Sequence, residues 1–285
     1  MKDLEILSDY RNFTFRLTTV RRINHFSQVA EFVEERGFIL FWPVKGMDMP
    51  SLWNAVAGDR PVPNNHDDPA HITWRWKDQS LGLRKWYYAK ILRKKATFVS
   101  LKTIPYFYAL SENYGSPEED YLLEFQDGKM SLDEKLIYES ILNNGPLHTI
   151  ELRNLLKKFG RNDEGGFNRA LERLQTGLKV LPVGIAEAGS WKYAYIYDLT
   201  SRHFQNLVDQ ARVISQPMAR NRIMELYFLS VGFASLHGLQ HVFGWSIDQI
   251  GEAINRLLQQ KIVVEINEGS KPSGTGFILT SLKDE

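Results

Sequence analysis

The residues in this sequence that could do chemistry fall into three groups. The first is a set of carboxylates, Asp48, Asp67 and Asp68, in a region broken by Pro43, Pro50, Pro61, Pro63 and Pro69. Hydrolysis of a glycosidic bond needs a carboxylate or amide to position water against a cation-like sugar, and these three are available for it. Their spacing does not select among them, and each has a plainer reading as a loop or helix cap. The second group is His66-Asp67-Asp68 with His71. Its spacing matches no metal motif, and in a Pro/Asn loop the preferred reading is polar side chains capping nearby backbone. No metal and no cofactor are expected. There is no phosphate loop, dinucleotide fingerprint, HExxH or GxSxG. The absence of cysteine removes thiolate ligands, thiol nucleophiles and disulfides.

The third group is cationic. Between His71 and Thr103, Arg75, Lys77, Arg84, Lys85, Lys90, Arg93, Lys94, Lys95 and Lys102 stand against Asp78 alone. Trp74, Trp76, Trp86, Tyr87 and Tyr88 are interleaved with them. Cations attract phosphates and planar rings offer stacking platforms for bases. The blander reading is a solvated helix with a core of aromatics. Since the whole chain has a formal net charge of +1, an acidic partner must be met by a local patch of this kind.

The elements that would position these groups are clearest near the C-terminus. Pro217 can open a helix carrying Ile223, Leu226, Tyr227 and Val231 inward. A second helix from about Ala234 places Leu236, Leu239 and Phe243 inward and stops at Gly244. Ser246-Ile247-Asp248-Gln249 is a capping box that opens a third, with Ile247, Ile250, Ile254, Leu257 and Leu258 as one stripe. Ile262-Val263-Val264 and Phe277-Ile278-Leu279 then flank a Gly/Pro-containing turn after Asn267. Three helices and a hairpin in that order are the layout of a winged helix.

The same layout recurs upstream. Ser131 to Glu134 is a capping box before Leu136, Ile137 and Ile141, and Asn143 to Pro146 breaks that helix. Leu152, Leu155, Leu156 and Phe159 mark a second helix, and Phe167, Ala170, Leu171, Leu174 and Leu178 a third. Val180 to Ala186 and Trp191 to Tyr197 read as a hairpin closed by Glu187 to Ser190. The third helices pair Phe167, Ala170, Leu174 and Leu178 with Ile247, Ile250, Ile254 and Leu258, a repeat of structure. A third helix of this kind enters the major groove in DNA-binding relatives of the layout. The first offers Asn168, Arg169, Glu172, Arg173 and Gln175 outward, and is the better candidate because Lys157, Lys158 and Arg161 lie near one end. The second offers Asp248, Gln249, Glu252, Asn255, Arg256 and Gln259.

The first 130 residues read less cleanly. They offer a helix around Ile23 to Glu35 ending at Gly37, an apolar run Phe38 to Trp42 and a helix from about Leu81 to Lys94. A strand Thr97 to Leu101, an aromatic helix through Tyr106, Phe107 and Tyr108, and a Tyr114 to Pro117 turn complete the list.

His66 to Pro69, Thr73 to Asp78, Tyr88 to Lys90, Pro105 to Gly115, Pro182 to Trp191 and Ser230 to Phe233 together resemble the YcaQ/AlkZ-like winged-helix proteins. The resemblance implies tandem winged helices, DNA binding and a relation to glycosylases that excise alkylated or crosslinked bases. In those glycosylases a Gln, an apolar residue and then Gln or Asp position water in the N-terminal part. This chain has no such triplet there, the nearest being Gln28-Val29-Ala30, so no catalytic residue is carried over.

The expectation is an α+β protein with an N-terminal domain over 1–130, a winged helix over 131–200, a linker over 201–216 and a winged helix over 217–285. Its partner is double-stranded DNA, held by the cations from Arg75 to Lys95 with Arg169 and Arg173. A base-excising enzyme and a non-enzymatic structural or regulatory DNA-binding protein stand beside each other, with a protein-interaction module as the third reading. No stretch approaches the roughly 18 apolar residues of a spanning helix, and the acidic N-terminus is unlike a secretory signal. A cytoplasmic location is expected, and the oligomeric state is not assigned.

Overall fold

The computed structural model describes residues 2–65, 67–111, 113, 115–189, 192–267 and 275–283. His66 of the histidine–aspartate cluster, Tyr114, Ser190, Trp191 and the turn after Asn267 lie outside the described residues.

After α1 (Lys2–Thr14), the chain runs through α2 (Phe26–Arg36), β1 (Phe38–Leu40), α3 (Leu52–Ala57), α4 (Ile72–Ser80), β2 (Tyr87–Lys90) and β3 (Ala96–Val99). Two connecting helices follow, α5 (Ile104–Tyr108) and α6 (Asp120–Gln126). Next come α7 (Leu132–Asn144), β4 (Leu147–His148), α8 (Thr149–Lys158), α9 (Glu164–Thr176), β5 (Val180–Ala186) and β6 (Ala194–Leu199). A second connector holds α10 (Thr200–His203) and α11 (Leu207–Arg212). The last set is α12 (Gln216–Val231), β7 (Phe233–Ser235), α13 (Leu236–Phe243), α14 (Ile247–Gln259), β8 (Val263–Asn267) and β9 (Thr275–Leu279), closed by α15 (Thr280–Lys283). The fold is α+β, and among the described residues one order of elements occurs three times: helix, strand, helix, helix, strand, strand. The three sheets share one antiparallel order, β1-β3-β2, β4-β6-β5 and β7-β9-β8.

Local chemistry explains much of the repetition. In each copy the first helix ends on a glycine with positive φ, Gly37 at 78°, Gly145 at 82° and Gly232 at 76°. Left-handed backbone there lets the chain reverse into the first strand without a Cβ clash. At Gly232 the turn is also tight, since a Cβ would meet Leu7, Leu282 and Tyr10 within 3.0 Å. The two capping boxes read in the sequence are made: Ser131 with Glu134 and Ser246 with Gln249.

The pairing of the third helices differs from the expected one. Aligned at their starts, α9 and α14 match Phe167 with Ile250, Ala170 with Ala253, Leu171 with Ile254 and Leu174 with Leu257, nearly one turn away from the sequence pairing. Ile247 had anchored that pairing, yet it lies in the first turn with 69% of its surface exposed. Leu178 falls beyond the helix end in left-handed conformation (φ 56°), as does Lys261 (φ 57°). Phe159 is likewise exposed.

A larger correction concerns the helix expected over Leu81 to Lys94. That segment is a turn followed by strand β2, because Trp86 to Ala89 must be buried on both sides. Tyr87 and Ala89 face one core together with Phe38, Leu40 and Val99, whereas Trp86 and Tyr88 face another with Ile39, Phe41 and Phe98. That alternation is the period of a strand. Lys90 ends the strand, and Arg84, Lys85, Arg93, Lys94 and Lys95 flank it.

The cores divide unevenly among the copies. The second copy encloses its own cluster, including Ile137, Ile141, Leu152, Phe167, Leu174 and Val180. The first copy packs one sheet face on its own helices through Val29, Phe32 and Val33. Its other face joins the third copy's core at Ile223, Leu226, Ile254 and Leu257. The last carbonyls of α12 are also taken from upstream. Tyr10 donates to Leu229 (2.8 Å), Arg11 to Val231 (2.9 Å), Thr14 to Ser230 (2.7 Å) and Arg36 to Leu229 (2.9 Å), satisfying groups that a helix end leaves bare. The stretch expected as a linker over 201–216 is packed too, with Leu207 and Ala211 of α11 in the shared core.

Candidate nucleic-acid interface and carboxylate pocket

The loop between β2 and β3 carries the densest exposed charge. Lys95 N–H donates to the Leu92 carbonyl at 2.8 Å, and the two residues between them are both left-handed, Arg93 at φ 49° and Lys94 at φ 62°. Two-residue hairpin loops of this shape favour Asn-Gly. Placing Arg and Lys there costs on the order of 1–2 kcal/mol per residue. Arg93, Lys94 and Lys95 are all exposed.

Tertiary contacts aim this loop at the other two copies. Lys90 and Lys94 reach Glu172 of α9 at 3.3 and 3.2 Å. Burial pushes the Glu172 carboxyl up, but the two ammonium groups outweigh it and hold it below its ordinary range. The Lys90 carbonyl accepts from Thr176 Oγ1 at 3.1 Å. On the opposite side the Arg93 guanidinium lies against Gly244, which ends α13.

The remaining sequence-selected cations divide. Arg75 is exposed on α4 beside the half-open Trp74 ring. Arg84 and Lys85 are exposed ahead of β2, and the Lys85 ammonium sits 4.8 Å from the centre of the Phe26 ring. Arg169 pairs with Asp163 at 3.2 Å, and Arg173 pairs with Glu134 at 3.1 Å, so the α9 face carries matched charge. Lys77 is a correction. Only 1% of it is exposed. Its ammonium is enclosed by Tyr195, Tyr193 (3.0 Å) and Asp78 (2.7 Å) and lies 4.2 Å from the centre of the Trp74 ring. It ties α4 to the β5–β6 hairpin and does not face solvent. Helical charge counting could not separate it from Arg75, since burial here depends on two tyrosines more than a hundred residues away.

The three carboxylates do not come together. Asp68 is gripped by Arg60 through two bonds of 2.9 and 2.6 Å and accepts from the Ala70 N–H at 2.8 Å. The Arg60 bonds, then that of Ala70, hold its carboxyl below the usual range. This is the cap geometry that the duller reading implies. Asp67 is exposed in a turn where its N–H donates to Asn65 Oδ1 at 3.0 Å. Asp48 is different. It pairs with Arg11 at 3.2 Å, stays 65% exposed, and lines a pocket of about 410 Å3 with Asn12, Asn54 and Asp59. Asn54 is buried and accepts from Ser51 Oγ at 2.5 Å. Arg11, Asn12 and Asp59 were missed by sequence reading, because nothing local links α1 to the loop after β1. Among the described residues no group of three or more His, Cys, Asp or Glu could hold a metal ion, and no helix is long and apolar enough to cross a membrane.

This arrangement can be set beside known proteins. A search of curated protein sequences found no match. Among solved structures the chain is similar to the Streptomyces sahachiroi DNA glycosylase AlkZ, with a TM-score of 0.61 and 12% identity, covering 99% of this chain and 71% of that one. At that identity the likeness is one of fold. A family model described as AlkZ related matches residues 23–239. The sequence resemblance, the fold and that match agree, and the chain belongs to the AlkZ-related family.

Proposed function

We propose that the chain is a double-stranded-DNA-binding protein with a role in DNA repair, built from three winged helices. The units span α2 to β3, α7 to β6 and α12 to β9. The observation that carries this reading is the threefold element order with one sheet order, in which the first copy's hairpin ends in Arg93-Lys94-Lys95. A hairpin of that charge suits the phosphate backbone, while a third helix such as α9 suits the major groove. The relative of similar fold is a DNA glycosylase by name, which favours DNA over a protein partner. The last copy contributes less, since Asp248 and Glu252 sit on the exposed face of α14. Fluorescence anisotropy with a short duplex should give binding that weakens about ten-fold or more between low and moderate salt. No binding even at low salt would sink the proposal.

A second reading, base excision, is favoured by one observation: the Asp48 pocket. Asp48 is open to solvent beside Asp59 and Arg11, whereas Asp68 is consumed as a cap. A carboxylate there can orient water toward the anomeric carbon of a nucleotide extruded from the duplex. Asp48→Asn should then cost at least a hundred-fold in excision of alkylated or crosslinked bases with DNA affinity kept. Asp68→Asn should lower stability by weakening the Arg60 pair and the cap, and leave activity intact. A wild-type chain that excises nothing leaves the DNA-binding reading alone.

A further inference from the structure

A cleft of about 320 Å3 opens where the first copy meets the connector between the second and third. It lies apart from the loop and the pocket described above. Its walls are Arg84 ahead of β2, Leu101 and Ile104 after β3, and connector residues that include His203, Gln205 and Gln210. Among the described residues, every polar side chain lining it carries an N–H donor, and no carboxylate lines it. A volume of this size suits a small ligand or one group of a larger one.

The backbone at Arg84 is held in an unfavourable shape. Its φ is 51°, in the left-handed region that side-chain-bearing residues avoid. Two residues earlier, Gly82 approaches strand β5 so closely that a Cβ would stand 2.9 Å from the Val183 carbonyl oxygen. The segment is therefore pinned against the second copy, and Arg84 is presented from there. Strain of this kind persists only where surrounding structure imposes it, and it gathers at functional sites.

The second donor comes from the connector. His203 is half-buried, and both burial and the Arg84 guanidinium hold its imidazole below the ordinary histidine range. Asp198 pulls the other way, but it is paired with Arg202 at 2.8 Å. Arg84 and His203 thus line one space, whose other polar side chains are the amides of Gln205, Asn206 and Gln210. An anion bound there would pair with the guanidinium, which recognises phosphate oxygens in pairs, and would favour the protonated imidazole as a second donor.

We propose that this cleft is a phosphate-binding site, in which Arg84 and His203 hold the phosphate and Gln205 and Gln210 donate to its remaining oxygens. The phosphate is either free or part of a DNA backbone, and only the second case rests on the DNA-binding reading. The test is thermal unfolding of the full chain in sodium phosphate against sodium chloride of equal ionic strength, with the His203 imidazole followed by NMR.

Phosphate at ten times its Kd should raise the wild-type Tm by roughly 2–4 °C, saturably, and raise the His203 pKa. Arg84→Gly relieves the left-handed strain, so its Tm without phosphate should equal or exceed wild type while the phosphate response disappears. His203→Gln should lose the response as well. An equal shift in chloride, or a full response in Arg84→Gly, overturns the site. A duplex-DNA arm identifies the source. If phosphate competes with DNA, and Arg84→Gly weakens DNA binding several-fold, the site takes backbone phosphate. If Arg84→Gly loses the phosphate response but binds DNA as wild type does, the site takes free phosphate. A wild type that responds to phosphate and ignores DNA keeps the site and removes the DNA-binding reading.

Discussion

The second copy and the first copy share an element order but solve the burial problem differently. The second carries a closed core of its own around Ile137, Ile141 and Leu174. The first uses a sheet covered on both faces, with Tyr87 and Val99 committed to the third copy's core. A domain can therefore repeat in topology and still not be independent. What matters is where the second face of its sheet is spent. The contrast also locates the cations. In the second copy Arg161, Arg169 and Arg173 are matched by carboxylates of the same copy, whereas in the first Lys90 and Lys94 take their carboxylate, Glu172, from the second copy.

The contrast is tested most severely at Tyr87. Tyr87→Ala removes a fully buried ring and its 3.0 Å bond to Thr200, at a cost of about 3–5 kcal/mol. Native-state hydrogen exchange should show loss of protection in the first and third copies together. Ile141→Ala, costing about 2–4 kcal/mol, should loosen only the second. If Tyr87→Ala left the third copy's amides protected, the shared core would be wrong.

Lys77 sharpens the comparison at the joint between the first two copies. Lys77→Ala abandons Asp78, Tyr193 and Tyr195 in a closed site and should cost about 3 kcal/mol by chemical denaturation. Lys77→Met fills the same space among Trp74 and the tyrosines and should cost much less. Equal losses in the two variants would mean that the charge, and not the packing, makes the joint.

The cationic loop should trade stability against affinity. Replacing Arg93 by Asn and Lys94 by Gly installs residues suited to left-handed backbone and should gain roughly 1 kcal/mol. The same double variant should bind DNA more weakly, with a logarithmic salt slope shallower by about 1–2. Unchanged affinity with raised Tm would reduce the loop to a structural hairpin.

The smallest effect belongs to Glu172, which joins the first copy's loop to α9. Its folded pKa is depressed, so its contribution is present above the unfolded value near 4.5 and is lost as pH falls through the folded value. Stability followed from pH 6 to pH 3 should fall less steeply for Glu172→Gln than for wild type. Identical slopes would show that Lys90 and Lys94 do not stabilise the charged form.

The sequence alone determined the features that arise from neighbours along the chain. Ser131 with Glu134 and Ser246 with Gln249 cap helices because both partners lie within one turn. Gly145 and Gly244 end helices because only local backbone sterics are at stake, and the runs around Val180 and Val263 extend because β-branched side chains prefer it. Motif strings spread along the chain also carried the family. Tertiary structure decided the rest. Trp86 to Ala89 became a strand because two cores meet on it, and a run that is apolar on both sides has no helical or strand period to read. Lys77 was buried by tyrosines of the second copy, and Asp48 gained its pocket from Arg11 and Asn12 of α1. Asp67, Asp68 and Asp48 look alike in sequence. They differ only by which distant cation or backbone N–H each one meets, and that is a property of the folded chain.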